Sequence, residues 1–161
     1  MAKSIGFIWW QKRKIGDSMI ALGCDHAGVN LKKAVMQYLD EKNIAYLDLG
    51  TDGDPCDYPD IAKQVAEKIV SGQAEQGILI CGTGVGMSIA ANKIKGIRAS
   101  VCNDCFSTRY TRKHNNANIL CLGERVIGVG LALELVEIFL ETEFEGGRHQ
   151  RRVDKIASLE N

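Results

Sequence analysis

The residues best suited to chemistry lie in one run, Ile78-Leu79-Ile80-Cys81-Gly82-Thr83-Gly84-Val85-Gly86-Met87-Ser88, where an apolar strand-like stretch passes a thiol and enters a glycine-rich turn. Ile89, Ala90, Ala91 and Asn92 then read as a helix. Glycines clear side chains away, so peptide N–H groups at a helix start can approach an oxyanion or a phosphate, and the helix dipole adds about half a positive charge there. A thiol beside such a turn has its thiolate favoured, which suits it to proton abstraction near neutral pH. Strand cysteines are more often small buried hydrophobes. The position of Cys81 immediately before the glycines favours the chemical reading. The turn is not a dinucleotide fingerprint, because Met87 stands where G-x-G-x-x-G needs its third glycine, and it lacks the lysine and hydroxyl of a P-loop.

Other polar residues fall at comparable places. Gly23-Cys24-Asp25-His26-Ala27-Gly28 ends an earlier apolar run, so Asp25 and His26 share the edge of Cys81 if the strands are parallel. His114 lies in Thr111-Arg112-Lys113-His114-Asn115-Asn116-Ala117-Asn118, which reads as a polar turn. Its imidazole suits acid and base work, and a solvated loop histidine is equally open. Arg148 and Arg152 are four apart, share one face of a helix, and would suit a phosphate. Cys102-Asn103-Asp104-Cys105 has CxxC spacing, but a structural zinc needs four ligands and the sequence has no second pair.

The elements that must carry these groups alternate. Ile20 to Cys24, Ile44 to Leu49, Gly77 to Cys81, Ile97 to Cys102 and Asn118 to Leu122 read as strands. Leu31, Ala34, Val35, Tyr38 and Leu39 recur at helical steps, as do Ile61, Val65, Ala66, Ile69 and Val70. Further helices are expected around Phe106 to Lys113, from Gly128 to Thr142, and after Gly146-Gly147. Pro55 and Pro59 flank Cys56-Asp57-Tyr58 and mark a loop. Alternation of this kind implies an α/β fold with a parallel sheet and helices on both faces.

The 161 residues suffice for one domain, and 20 basic residues balance 20 acidic ones, so no overall field draws the chain to nucleic acid or an anionic membrane. Lys3, Lys12, Arg13 and Lys14 concentrate before Met19, leaving 16 basic and 19 acidic residues in the body. The segment 1–18 is read as an extension outside the fold, with one domain over 19–161. The six cysteines, four of them in or beside apolar runs, read as free thiols of a cytoplasmic protein rather than disulfides. No stretch has the length of a membrane span or a signal peptide.

Taken together, GCDHAG at 23–28, DYPD at 57–60, ILICGTGVGMSIAANK at 78–93, RKHNNAN at 112–118 and EGGRHQRRV at 145–153 resemble ribose-5-phosphate isomerase type B, in a family with allose- and galactose-6-phosphate isomerases. The resemblance runs from Met19 almost to the end of the chain. It implies a three-layer α/β/α sandwich with a five-stranded parallel sheet, a C-terminal helix, and homodimers or dimers of dimers with sites at the subunit interface. No metal or organic cofactor is implied. Carried over by position, Cys81 is the base moving a proton between C2 and C1, and Thr83 with the amides of Gly82, Gly84, Val85 and Gly86 holds the enediolate. His114 helps open the sugar ring, with Asn115 on substrate hydroxyls. Asp25 also binds hydroxyls, Tyr58 joins the substrate contacts, and His26, Arg125, Arg148 and Arg152 bind the phosphate. A hexose phosphate substrate, or a non-catalytic phosphosugar sensor, are the alternatives.

Overall fold

The first apolar run is apolar on both of its sides, the pattern of a strand covered on both faces. It forms β1 (Ile20–Cys24), every residue of which is buried. The computed structural model describes residues 19–160, and the expectation for residues 1–18 lies outside them. In chain order β1 is followed by α1 (Val29–Glu41), β2 (Tyr46–Asp48), α2 (Tyr58–Val70), β3 (Gln76–Cys81), α3 (Val85–Ala91), β4 (Ala99–Val101), α4 (Cys105–Asn115), β5 (Ile119–Gly123), α5 (Val129–Glu141) and α6 (Arg148–Ala157). The sheet order is β2-β1-β3-β5-β4 and all pairings are parallel.

Two apolar layers sandwich this sheet. Leu31, Val35 and Leu39 of α1, at four-residue steps, meet Leu135, Val136 and Phe139 of α5 over one face. Ile61, Val65 and Ala66 of α2 and Met87 and Ala91 of α3 cover the other. Each such large side chain, fully buried, contributes about 1.5–3 kcal/mol. α4 packs on α5, and α6 packs on α4. No helix among the described residues is long and apolar enough to cross a membrane.

The expected elements are present, with corrections at three places. The second and fourth strands shrink to three residues each, because β2 and β4 are the sheet's edges and pair on one side only. Tyr58 and Pro59 are not loop but the start of α2, where a proline costs no helical hydrogen bond. His114 is not in a turn: it lies in the last turn of α4 beside Arg112 and Lys113, where cationic groups suit the negative end of the helix. That helix buries Thr108 and Thr111 rather than an apolar stripe, which hides its period.

Candidate active site

The chain leaves β1 towards β2 on one side of the sheet and leaves β3 towards β4 on the other. The carboxyl ends of β1 and β3 therefore flank the crevice where open parallel sheets bind ligands. Asp25 follows β1, and Cys81 ends β3. The Gly84 N–H donates to the Cys81 sulfur at 3.1 Å, the contact a thiolate needs. Gly84 makes that bond with φ of +79°, a left-handed conformation, and a Cβ there would press on the Cys121 and Leu122 backbone. Cys81 keeps 6% of its surface exposed and packs beside Met87, while its sulfur lies beneath the loop.

Around the thiol the loop is arranged by short contacts. The Val85 N–H donates to the Thr83 hydroxyl at 3.3 Å. Gly86 and Met87 stand in the first turn of α3, where amides have no intrahelical partner. The Tyr58 ring lies against Gly86, 2.8 Å from where a Cβ would be, so only glycine lets that ring close over the helix start. The Arg125 side chain runs beside Gly82. Asp25 is 7% exposed and accepts from the Ala27 N–H at 2.9 Å, which folds the turn that presents the exposed His26. Asp25, His26, Tyr58, Cys81, Thr83, Arg125 and residues 82–86 thus gather at one edge of the sheet.

The other expected site residues lie elsewhere. Asn118, at the entry to β5, accepts from the Gly77 N–H at the start of β3, so the α4 terminus sits at the amino edge of the sheet. From Gly77 to Cys81 the strand rises about 13 Å. The structure therefore does not bring His114 and Asn115 to Cys81 within one protomer. His114 stacks on His149 of α6, with ring centroids 4.0 Å apart and planes 6° from parallel, and Tyr110 meets its edge at 4.8 Å. Arg148 and Arg152 are both exposed on α6 beside it.

Both imidazole Nε2 atoms lie 3.7 Å from one Glu145 oxygen. Ligand atoms of His114, Glu145 and His149 fall within 4.8 Å of one another, the one such group among the described residues. Parallel stacked rings cannot both direct in-plane lone pairs at one ion about 2.0–2.1 Å away. As arranged, the trio is a stacked imidazole pair beside a carboxylate rather than a metal centre. Burial, with the charges of His114, Arg148 and Arg152, holds the His149 imidazole below its ordinary range.

Three contributors escape sequence reasoning. Lys32 is 1% exposed, and its ammonium bonds Asp48 at 2.8 Å and Asp52 at 3.2 Å, tying α1 to the end of β2. Burial opposes that charge, but the two carboxylates outweigh it and raise the lysine above its usual value. His149 sits within the EGGRHQRRV run at 145–153, but only the fold stacks it on His114. Glu124 is the third, and its partners are distant in sequence. The Cys102–Cys105 pair is unbridged, one thiol buried and the other half-buried at the start of α4.

The family model described as Ribose/Galactose Isomerase matches residues 20–156. Ribose-5-phosphate isomerase B of Escherichia coli (strain K12) is 48% identical over 142 residues, which span 88% of this chain and 95% of that one. D-erythrulose-4-phosphate isomerase of Pectobacterium atrosepticum is 44% identical over 144 residues, 88% of this chain and 95% of that protein. Among solved structures, ribose-5-phosphate isomerase B of Clostridium thermocellum superposes with a TM-score of 0.87 at 50% identity, covering 88% of this chain and 97% of its own.

Proposed function

The chain belongs to the ribose/galactose isomerase family, and from that premise we propose that it interconverts ribose 5-phosphate and ribulose 5-phosphate with Cys81 as the base. In this reading the thiolate takes the C2 proton of the open-chain aldose. The C2 electron pair shifts into a C1–C2 double bond, and the carbonyl oxygen at C1 becomes the enediolate oxygen. Return of the proton to C1, with transfer of the O2 hydroxyl proton to O1, gives the C2 ketone and the C1 alcohol, so no redox partner is consumed. The observation that carries the reading is the Gly84 N–H on the Cys81 sulfur at 3.1 Å, at the carboxyl end of a central strand. Loop amides beside it suit the transient oxyanion, each key donor being worth about 3 to 4 kcal/mol. Thr83, Asp25, His26, Tyr58 and Arg125 take the substrate roles that the family resemblance gives them.

Ring opening by His114, hydroxyl contacts from Asn115 and phosphate binding by Arg148 and Arg152 require a second copy of the chain. Support comes from the strand length that separates the two sets within one protomer, and from the exposed Val85, Ile89 and Phe106, apolar groups that a partner subunit would cover. The assembly is then a homodimer with two sites, each joining the Cys81 edge of one subunit to the His114 edge of the other. The six free thiols suit a cytoplasmic setting.

Mixing tests this directly. Cys81→Ala and His114→Asn variants, each inactive alone on ribose 5-phosphate, should regain about a quarter of parental activity after subunit exchange, because half the dimers are mixed and each has one intact site. No recovery, despite exchange verified by native mass spectrometry, rejects the shared site. No turnover of ribose 5-phosphate by the parent rejects the function and favours the sensor. Faster turnover of allose 6-phosphate or erythrulose 4-phosphate moves the substrate but keeps the chemistry.

A further inference from the structure

Glu124 follows β5 directly, and the chemistry above does not use it. Its carboxylate accepts from the Leu31 N–H at 2.9 Å and from the Asn30 side-chain amide at 3.0 Å. Leu31 is the third residue of α1, where an amide has no intrahelical partner. α1 has no side-chain cap at Gly28 and no acidic residue in its own first turn. Glu124, 93 positions away in sequence, supplies both the acceptor and the negative charge.

The backbone of the same segment holds the opposite wall. The Glu124 N–H donates to the Cys81 carbonyl at 2.9 Å, and the Arg125 N–H donates to the Gly82 carbonyl at 3.1 Å. Between these anchors the Asp25 N–H donates to the Ile80 carbonyl at 3.2 Å, and Gly28 packs so closely on that carbonyl that a Cβ would lie 2.7 Å from its oxygen. One residue therefore grips α1, whose entry turn carries Asp25 and His26, and the peptides that carry the thiol.

We infer that Glu124 is a positioning residue that clasps the Asp25–Gly28 turn to the Cys81 loop and sets the separation between the buried carboxylate and the sulfur. Its kinetic consequence rests on the isomerase reading, whereas the clasp itself does not. A built-in carboxylate at the start of α1 also occupies the place an incoming phosphate would otherwise favour, which directs that group towards arginines.

The test compares the full-length parent with Glu124→Ala, Glu124→Gln and Glu124→Ser. Hydrogen–deuterium exchange should quicken about tenfold in Glu124→Ala at both residues 28–31 and residues 82–85, because the first segment loses its side-chain acceptor and the second, still held by the residue 124 backbone, loses its tie to α1. In turnover of ribose 5-phosphate, kcat should fall about tenfold or more with KM within about twofold, the pattern of misplacement by a fraction of an ångström. Glu124→Gln, whose amide oxygen still accepts from Leu31, should restore both readouts to within about threefold. Faster exchange confined to residues 28–31, with kcat kept, overturns the inference and leaves a local helix cap. Should Glu124→Ala not fold, Glu124→Ser, too short to reach Leu31, carries the same comparison. A parent that exchanges as described but turns over no sugar phosphate defeats the isomerase reading and spares the clasp.

Discussion

Gly123 ends β5 against the catalytic loop, and Gly123→Ala puts one methyl group where the chain has no room for it. The added Cβ would lie 2.7 Å from the Thr83 carbonyl carbon and 2.8 Å from its Cα and carbonyl oxygen. All three are backbone atoms, so no rotamer relieves the clash. Restoring ordinary contact at about 3.4 Å requires roughly 0.7 Å of movement, either of Thr83 away from β5 or of β5 from its ladder. β5 is held by β3 and β4 on both sides and lies in the core, so the loop yields. Overpacking of this kind costs about 1–3 kcal/mol, or a melting-point drop of a few degrees to about 10 °C for a chain of this size. The catalytic loss is larger in proportion, because a displacement approaching 1 Å at the groups that hold an oxyanion costs about 10 to 10² in kcat. The assay is steady-state isomerisation of ribose 5-phosphate beside thermal unfolding. Gly130→Ala on the exposed side of α5, where a Cβ meets nothing within 4 Å, is the control and should gain up to about 1 kcal/mol with kcat unchanged. A Gly123→Ala protein with parental kcat and melting point would refute the argument that the loop is set by backbone contact.

Lys32→Met should destabilise in urea titration by about 1–3 kcal/mol, below the usual cost of a broken buried pair, because Asp52 is exposed and Asp48 can rehydrate. Since the folded lysine is raised, its contribution is whole below the unfolded value of about 10.4 and vanishes as pH rises through the folded one; a parent–variant gap that closes already at pH 8 contradicts this. For His149, held below its ordinary value, the unfolded chain binds the extra proton. Melting temperature should therefore fall as pH drops from about 7 through 6, and His149→Gln should flatten that slope, with unchanged slopes counting against the stacked cluster. Arg112, pushed down to about 10 by burial and by Arg98, ties α4 to the end of α5 and to the approach to β5 through the Thr142 and Ala117 carbonyls. Arg112→Met should cost about 3 kcal/mol in stability by stranding those acceptors, and a loss under about 0.5 kcal/mol would show that water replaces the guanidinium.

The parts of this architecture legible in the sequence are those written in local pattern. β1, β3 and β5 are continuous apolar runs because both of their faces are covered, and their reading is correct to within a residue or two. β2 and β4 are overextended in the sequence because hydrophobicity reports burial, whereas strand pairing at a sheet edge ends when the single neighbour does. The last turn of α4 reads as a loop because its inward residues, Thr108 and Thr111, are polar. Among candidate site residues, the thiol and its glycines announce themselves by adjacency. Glu124, Lys32 and His149 do not, since each acts through a partner that only the fold brings near: 93 residues away for Glu124, 16 and 20 for Lys32, and across the α4–α6 packing for His149.

The glycines also explain how a loop can position a reaction. Gly28 rests on the Ile80 carbonyl, Gly84 on the Leu122 peptide, and Gly123 on Thr83, so the ends of β1, β3 and β5 meet backbone on backbone around Cys81. Side chains hop between rotamers, but peptide groups fixed in a parallel ladder have only the freedom of the sheet itself. A thiol and donors mounted there are preorganised without long side chains that must be ordered at each turnover, which is the condition under which oxyanion donors are most effective. The phosphate end makes the opposite demand. In the proposed function, Arg148 and Arg152 on the exposed face of α6 would turn to meet an anion and grip it through their planar forks. In that proposal, a division between a rigid sheet edge for proton transfer and a helical surface for phosphate follows from those two requirements, and a site shared between two subunits would let one fold present both from opposite ends of the same strands.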